Sequence, residues 1–517
     1  MPRFDIINPI HRKQCHNMKK SLINYYVATC TIQTLKSDDL KCRNHLEQVI
    51  LTKYDRLLSI CRCFQLKLEW KENQIGVIVN CMKQEMIGIQ LETLLIHMVK
   101  HGFERKPWPI ILVLDCQNLI LDNRMNELIT VINNILPMQQ IFSKSTAAHE
   151  TMSMKQLKLC LPTFLQNSNQ IAWPSLHSLC QKFVVIIKQS DSKSTVLMTA
   201  NNNSDWDPTI EIQPDLHHPN ESNIERLANE KCCILSFDSQ RIIDSIERDR
   251  NNYLDDSIAS LTSKAFTWCN FTANYYQSSS YNSIDWIRMG IQCIPYTVDD
   301  DHGYDGQLCR SLFDTINGSC GYVLKPSPLR HGHMYSIGFS EDRSLPGEPS
   351  AGPTRFLLKL YCIEDLMKFD PCTNPMRCKV VVQIIGYHED NCRYHTKTCC
   401  TEGQIPFWDE QIRPVIRLPN FTFIRFEVYN CERLVADRTI PFKAMMRGMR
   451  YISLVGRDGC HNNGKLFVHS NFKKIASCWS PDFLPNTEMI GEKPQKHSID
   501  YSDMDFIDAD DDDGDQN

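Results

Sequence analysis

The feature that most constrains this chain is a regular alternation of apolar stretches in its first half. Residues 25–29, 63–68, 76–80, 109–115 and 183–188 are short runs rich in Val, Ile, Leu and Phe, the texture of buried strands. Between them, residues 44–59, 91–101 and 123–136 read as helices. In the last, Leu128, Val131, Ile132 and Ile135 recur at helical spacing. Strand-helix alternation specifies an α/β architecture with a barrel among the options, and barrel sites gather at the C-terminal ends of the strands.

The pattern is interrupted and then changes. Residues 190–222 are polar, with Asn201-Asn202-Asn203, Asp205, Asp207, two His and three Pro, the composition of a solvated linker. Alternation resumes at 231–237 and 290–296. A Gly-, Ser- and Pro-rich stretch at 331–353 marks a domain boundary. Beyond it, the short runs 356–361, 379–385, 423–429 and 465–469 have the spacing of a β-sandwich. Residues 500–515 hold nine Asp and almost no core former, an acidic tail that solvates rather than folds.

Composition narrows the function classes. A length of 517 residues exceeds one ordinary core and implies two or three domains. A net charge of −5 gives no basic footprint for nucleic acid, which is excluded as a partner. No run approaches the roughly 18 apolar residues of a membrane span. The first residues lack the apolar stretch of a secretory signal. The expected location is therefore the cytoplasm, with the 24 cysteines as reduced thiols whose spacings do not match a zinc site.

The motifs carry a resemblance. Asn317-Gly318-Ser319-Cys320-Gly321-Tyr322-Val323-Leu324-Lys325-Pro326 resembles the end of the Y box of eukaryotic phosphoinositide-specific phospholipases C, and Gly290-Ile291-Gln292 after Trp286 resembles an earlier segment of that box. Ser236-Phe237-Asp238 falls on the start of the Y half. Asn8-Pro9, residues 18–26, Cys61-Arg62-Cys63, Pro109-Ile110-Ile111-Leu112 and residues 174–188 follow the X box. Pro406-Phe407-Trp408-Asp409, Arg425-Phe426-Glu427-Val428, Ile440-Pro441 and Gly464-Lys465-Leu466-Phe467-Val468 resemble the family's C2 domain.

The resemblance implies a distorted (β/α)8 barrel of the TIM type, split by a linker and followed by a β-sandwich C2 domain. The implied division is 1–22 as the end of an EF-hand lobe, 23–189 as the X half, 190–228 as the X/Y linker, 229–335 as the Y half, 354–472 as the C2 domain and 473–517 as the tail. The family's pleckstrin-homology domain has no room in this chain.

The family cleaves phosphatidylinositol 4,5-bisphosphate to diacylglycerol and inositol trisphosphate. Calcium activates the inositol 2-hydroxyl, and two histidines stabilise charge and protonate the leaving oxygen. At the matching positions this chain differs. Thr31 stands for the first histidine and Met82 for the second. Ile32, Gln65 and Lys67 stand for calcium ligands, and Asp115 alone keeps a carboxylate. Headgroup contacts map to Lys188 and Ser236, with Ser190 replacing a second phosphate-binding lysine and Trp268 and Asn270 near an Arg-x-Tyr pair. Lys188 also reads as a surface lysine closing a strand, and Asp115 as a helix N-cap. His45, His97 and His101 fall on helices, away from barrel chemistry. In the C2 domain Arg377 takes a ligand position, and Asn430 and Glu432 keep oxygens.

Two expectations follow. One is a catalytically inactive, phospholipase C-like binding or scaffold protein in phosphoinositide signalling, with no resident cofactor. Its partners would be a phosphoinositide-containing membrane surface or inositol phosphates, held weakly, and proteins that the sequence does not name. Lys67 joins Lys188 and Ser236 as a headgroup contact, and the protein works in the cytoplasm and at the membrane periphery. The other is an active phosphodiesterase with an atypical site.

Overall fold

The computed structural model describes residues 5–12, 18–31, 46–79, 87–116, 119, 124–141, 173–188, 195–197, 211–212, 234–238, 253–270, 283–295, 303–331, 353–365, 376–386, 390–401, 405–456 and 464–475. Strands β1 (Tyr25–Thr31), β2 (Cys63–Lys71), β3 (Gln74–Val79), β4 (Ile87–Gln90), β5 (Ile110–Asp115) and β6 (Phe183–Lys188) alternate with helices α1 (Leu46–Leu58), α2 (Leu91–His101) and α3 (Met125–Ile135). Strands β1, β2, β5 and β6 are parallel neighbours in that order. The strand expected at 76–80 is not a fifth parallel stave. Glu72 (φ 51°) and Asn73 (φ 62°) reverse the chain, so β3 pairs antiparallel with the end of β2, and β4 with β3. Two successive positive-φ residues form the tight turn that matches strand twist.

Side chains alternate between two clusters, as the strand repeat requires. Tyr25, Val27, Cys63, Ile111, Val113, Val184 and Ile186 fill the barrel interior. Tyr26, Ala28, Phe64, Leu66, Leu112, Leu114, Val185 and Ile187 face outward onto Leu94, Leu95 and Met98 of α2 and Leu128 and Ile132 of α3. Trp108, Trp173, Leu176 and Leu22 join the interior cluster.

The second half comprises β7 (Thr195–Leu197), β8 (Glu211–Ile212), β9 (Ile234–Asp238), α4 (Tyr253–Lys264), β10 (Phe266–Asn270), α5 (Ser283–Arg288), β11 (Cys293–Pro295), α6 (Gly303–Thr315), β12 (Tyr322–Leu324) and α7 (Ser327–Arg330). Strand β11 runs parallel to β1, and β12 antiparallel to the start of β1. Two strands arise within the segment expected to be a solvated linker. Strand β7 takes the edge of β6, and β8 takes the edge of β9. Strand edges carry unpaired amides and carbonyls and recruit partners. Strands β8, β9 and β10 therefore form their own sheet, and among the described residues no ladder joins β10 to β11.

A side chain makes that junction. Gln292 is fully buried. Its Oε1 accepts from Thr267 N at 2.8 Å, and its Nε2 donates to Ile23 O at 2.8 Å, Thr262 O at 2.9 Å and Ala265 O at 3.1 Å. Lys325 is also buried and donates to Thr262 O at 3.0 Å; burial pushes its pKa well down.

The loop between α6 and β12 is wound left-handed. Asn317, Gly318, Ser319 and Gly321 have φ of 56°, 62°, 54° and 84°. Asn317 Nδ2 donates to Tyr322 O at 2.9 Å and holds the loop. Gly321 O accepts from Ala28 N at 2.9 Å, and Ala28 O accepts from Arg62 N at 3.0 Å. Arg62 is buried, with Nη1 on Gly102 O at 2.8 Å. Lys106 Nζ donates to Ser59 O at 2.6 Å and to Ser319 O, and burial lowers its pKa to about 8.

Among the described residues, eleven strands form the sandwich: β13 (Thr354–Glu364), β14 (Met376–Ile385), β15 (Cys392–His395), β16 (Cys399–Thr401), β17 (Phe407–Ile412), β18 (Val415–Ile416), β19 (Phe423–Asn430), β20 (Arg433–Pro441), β21 (Gly448–Ser453), β22 (Val455–Gly456) and β23 (Lys465–Lys474). One sheet runs β17-β13-β23-β21 with β18 on β13; the other runs β15-β14-β19-β20-β22 with β16 on β14. Alternate residues Phe356, Leu358, Leu360, Val380, Val382, Ile384, Phe426 and Val428 make its core. Ile385, Leu418, Phe421 and Phe423 leave that core and join the barrel's outer cluster with Trp286 and Leu312. Residues 5–8 belong to the sandwich: Ile6 sits in its core, Ile6 N donates to Tyr451 O at 3.0 Å and Asn8 N to Ala444 O at 2.8 Å.

Gly321→Ala tests the loop. Its Cβ would collide with Ile60 O and stand 2.6 Å from Arg62 Cγ, at a φ that alanine disfavours. The expected loss is about 3 kcal/mol or more. Gly76→Ala, whose nearest neighbour would be Glu69 Cγ at 3.8 Å, should cost under about 1 kcal/mol. Urea unfolding midpoints of the two variants check the difference.

Candidate functional site

The C-terminal ends of the parallel strands bring the expected site positions into register. Thr31 of β1 pairs with Gln65 of β2, and Gln65 with Val113 of β5. One step further out, Lys67, Asp115 and Lys188 form a row across β2, β5 and β6. Gln65 and Asp115 are half-buried and Lys67 is exposed. In the other sheet Ser236 of β9 pairs with Trp268 of β10, and Asp238 with Asn270. Gln65, Lys67 and Asp115 continue the interior-facing alternation set by Cys63 and Val113. The sequence makes this end polar because the apolar strands β2 and β5 end where that position turns to Gln, Lys and Asp.

Met82, Ile32, Ser190 and His45 lie outside the described residues. His97 and His101 sit on α2, in the helical layer. His97 Nε2 is 2.7 Å from Asp55 Oδ1, and His101 Nδ1 is 2.9 Å from Glu104 Oε1. Neither histidine stands at the strand ends. Among the described residues, no three His, Cys, Asp or Glu side chains gather as a metal site.

At one end of the sandwich the expected ligand positions meet. Arg377 is exposed; its backbone N donates to Asn430 Oδ1 at 3.0 Å, and its O accepts from Cys431 N at 3.0 Å. Glu432 is exposed and accepts from Lys379 Nζ at 2.7 and 2.6 Å. The loop at this point is a two-residue turn, with Cys431 at φ 47° and Glu432 at φ 66° between paired Asn430 and Arg433. Asn430 is thus a strut of the turn, and Glu432 is neutralised by a lysine.

Sequence reasoning missed Lys379. Its signal was the strand alternation, which puts Lys379 beside Tyr429 at the end of β19. It also missed Ile405 and Phe407, each 61% exposed at this same end, where Phe407 pairs with Cys362.

The chain is 23% identical over 504 residues to the Xenopus laevis 1-phosphatidylinositol 4,5-bisphosphate phosphodiesterase delta-4, covering 90% of this chain and 62% of that protein. It is 29% identical over 216 residues to the human eta-1 phosphodiesterase of the same name, covering 40% of this chain and 12% of that protein. This chain thus spans less than two thirds of these relatives. The crystal structure of PLC21 from L. pealei superposes with a TM-score of 0.63 at 16% identity, over 92% of this chain and 59% of that one. PLC21 from S. officinalis superposes at 0.61 over 90% of this chain and 57% of that one, with 15% identity. No family model matches. The resemblance read from the motifs is borne out: the fold is a phospholipase C barrel and sandwich. Among the described residues no helix is long and apolar enough to cross a membrane.

The geometry at Asn430 and Glu432 generates an expectation for the sandwich. Calcium at about 1 mM stabilises a fold only if it binds at that concentration or tighter. The unfolding midpoint should move by under about 1 °C on adding calcium. Differential scanning fluorimetry with calcium and with chelator measures it; a gain of several degrees contradicts it.

Proposed function

We propose that this relative of the eukaryotic phosphoinositide-specific phospholipases C is a binding or scaffold protein of phosphoinositide signalling that has lost the family's hydrolytic chemistry. The observation that carries this reading is Lys67 in register with Asp115, at the strand ends where the family gathers calcium carboxylates. Calcium takes six to eight oxygens. Gln65 offers a neutral oxygen, Asp115 a carboxylate and Ile32 none. Adjacent strands lie about 4.8 Å apart. A divalent cation at about that distance from an ammonium is repelled by about 7 kcal/mol at an effective dielectric near 20. This donor set does not fit calcium.

The acid-base positions support the same reading. Threonine at position 31 does not titrate near neutrality, and methionine at position 82 has no proton to give. Each lost acid-base residue costs roughly 10²–10⁴ in rate.

The row Lys67–Asp115–Lys188 with Ser236 supports weak recognition of a phosphorylated inositol. A charge-assisted hydrogen bond contributes roughly 1.5–3 kcal/mol. That is less than the approximately 4 kcal/mol or more of freedom lost on binding. Dissociation constants on the order of millimolar or weaker follow. For the sandwich, the exposed side chains of Arg377, Ile405 and Phe407 support contact with an anionic membrane surface in a calcium-independent manner.

Purified protein should release no inositol trisphosphate from bisphosphate-containing vesicles above a heat-killed control, with or without calcium. Robust calcium-dependent turnover would establish the rival reading, an active phosphodiesterase. Histidine at both Thr31 and Met82 should not restore activity, because Lys67 remains. Titration calorimetry with inositol trisphosphate should give millimolar binding that weakens further in Lys67→Ala. Micromolar binding lost in that variant would make the protein a headgroup sensor, with the lysine standing in for the metal.

A further inference from the structure

Strand β16 is three residues long and joins its sheet through β14 alone. Its register sets Cys399 directly opposite Cys378, and Cys400 opposite Arg377. Opposed residues of an antiparallel pair project to the same face, with Cα atoms about 4.5 or 5.5 Å apart. A disulfide requires Cα atoms about 4.4–6.8 Å apart. Here the shared face is the sandwich interior. Cys378 is fully buried, and Cys399 is half-buried against the same apolar cluster. Both are thiols in this structure.

Other sulfurs do not offer the same combination. Cys63 and Cys293 bring their Sγ atoms to 3.9 Å, yet each is 1% exposed inside the barrel, where no oxidant reaches. Cys400 on β16 and Cys431 in the turn after β19 are exposed and flank Arg377 from opposite sides. Only the Cys378–Cys399 pair joins direct opposition to a partly accessible sulfur among the described cysteines.

We infer that Cys378 and Cys399 form a reversible disulfide site whose oxidant is hydrogen peroxide. The Cys399 thiolate attacks the O–O bond, gives a sulfenic acid and releases water. The Cys378 sulfur then displaces the hydroxyl, which leaves with a proton as a second water while the S–S bond forms. Two thiols lose two electrons and two protons, and the peroxide is reduced to two waters. A dithiol reverses the step by exchange. The bond ties the short edge strand β16 to β14, next to the turn of Asn430 and in the strand that leads to Ile405 and Phe407. Oxidation thereby stiffens the end of the sandwich that carries the exposed apolar pair, and closing the loop between the two cysteines raises the unfolding temperature.

The test treats the reduced full chain with excess hydrogen peroxide, alkylates it in denaturant and maps the peptides by mass. The expected product is a linked Cys378–Cys399 pair lacking two hydrogens, reversed by dithiothreitol, with an unfolding midpoint a few degrees higher. Cys399→Ser should abolish both signals, and Cys400→Ser should retain both. The inference fails if Cys399 stops at sulfinic acid with Cys378 still alkylated. It fails equally if Cys399 links to Cys400 or Cys431, or if neither residue loses its thiol.

Discussion

One buried amide joins the two sheets of the barrel. Gln292 accepts from the backbone of β10 and donates to carbonyls before β1, at the end of α4 and before β10. A side chain replaces a strand ladder there, and its cost is strict. A buried amide that lost these partners would leave several backbone carbonyls unsatisfied at once. Lys325 works beside it, since its buried Nζ donates to Thr262 O, one of the carbonyls Gln292 uses. The site positions at the opposite ends of the strands take their register from the ladders of β1, β2, β5 and β6 and of β9 and β10.

The motifs that made the chain recognisable turn out to be scaffold. Asn317, Gly321, Arg62 and Gln292 hold backbone against backbone. Their geometry tolerates few residue types, and these are among the letters that carry the resemblance. Gln65, Lys67 and Asp115 stand at the strand ends, where the ladder is made by backbone groups and does not dictate the side chain.

Strand-helix alternation in 25–188 and the sandwich spacing after 354 were readable because burial imposes a period. Strands β7 and β8 were not, because a polar segment that pairs with an existing edge needs no apolar period. The reversal at Glu72-Asn73 was missed because Asn73 is the single turn former there, with no Gly or Pro beside it and a glutamate at the other positive-φ position. Lys67, Asp115 and Lys188 were singled out through the family resemblance; that they stand in one row is visible only in the strand pairing. The pairing of Lys379 with Glu432 was not, because cross-strand neighbours far apart in sequence meet only in the folded sheet.

Ile6 has a bearing on how the molecule is made. It completes the core of a sandwich whose own strands begin at Thr354, and it bonds to Tyr451 hundreds of positions later. A contact of such separation forms late, after the intervening chain has been synthesised and the entropy of closing that loop has been met. On a ribosome the barrel can collapse while residues 5–8 wait for the last strands to emerge. The sandwich is therefore closed by a segment synthesised long before its own strands.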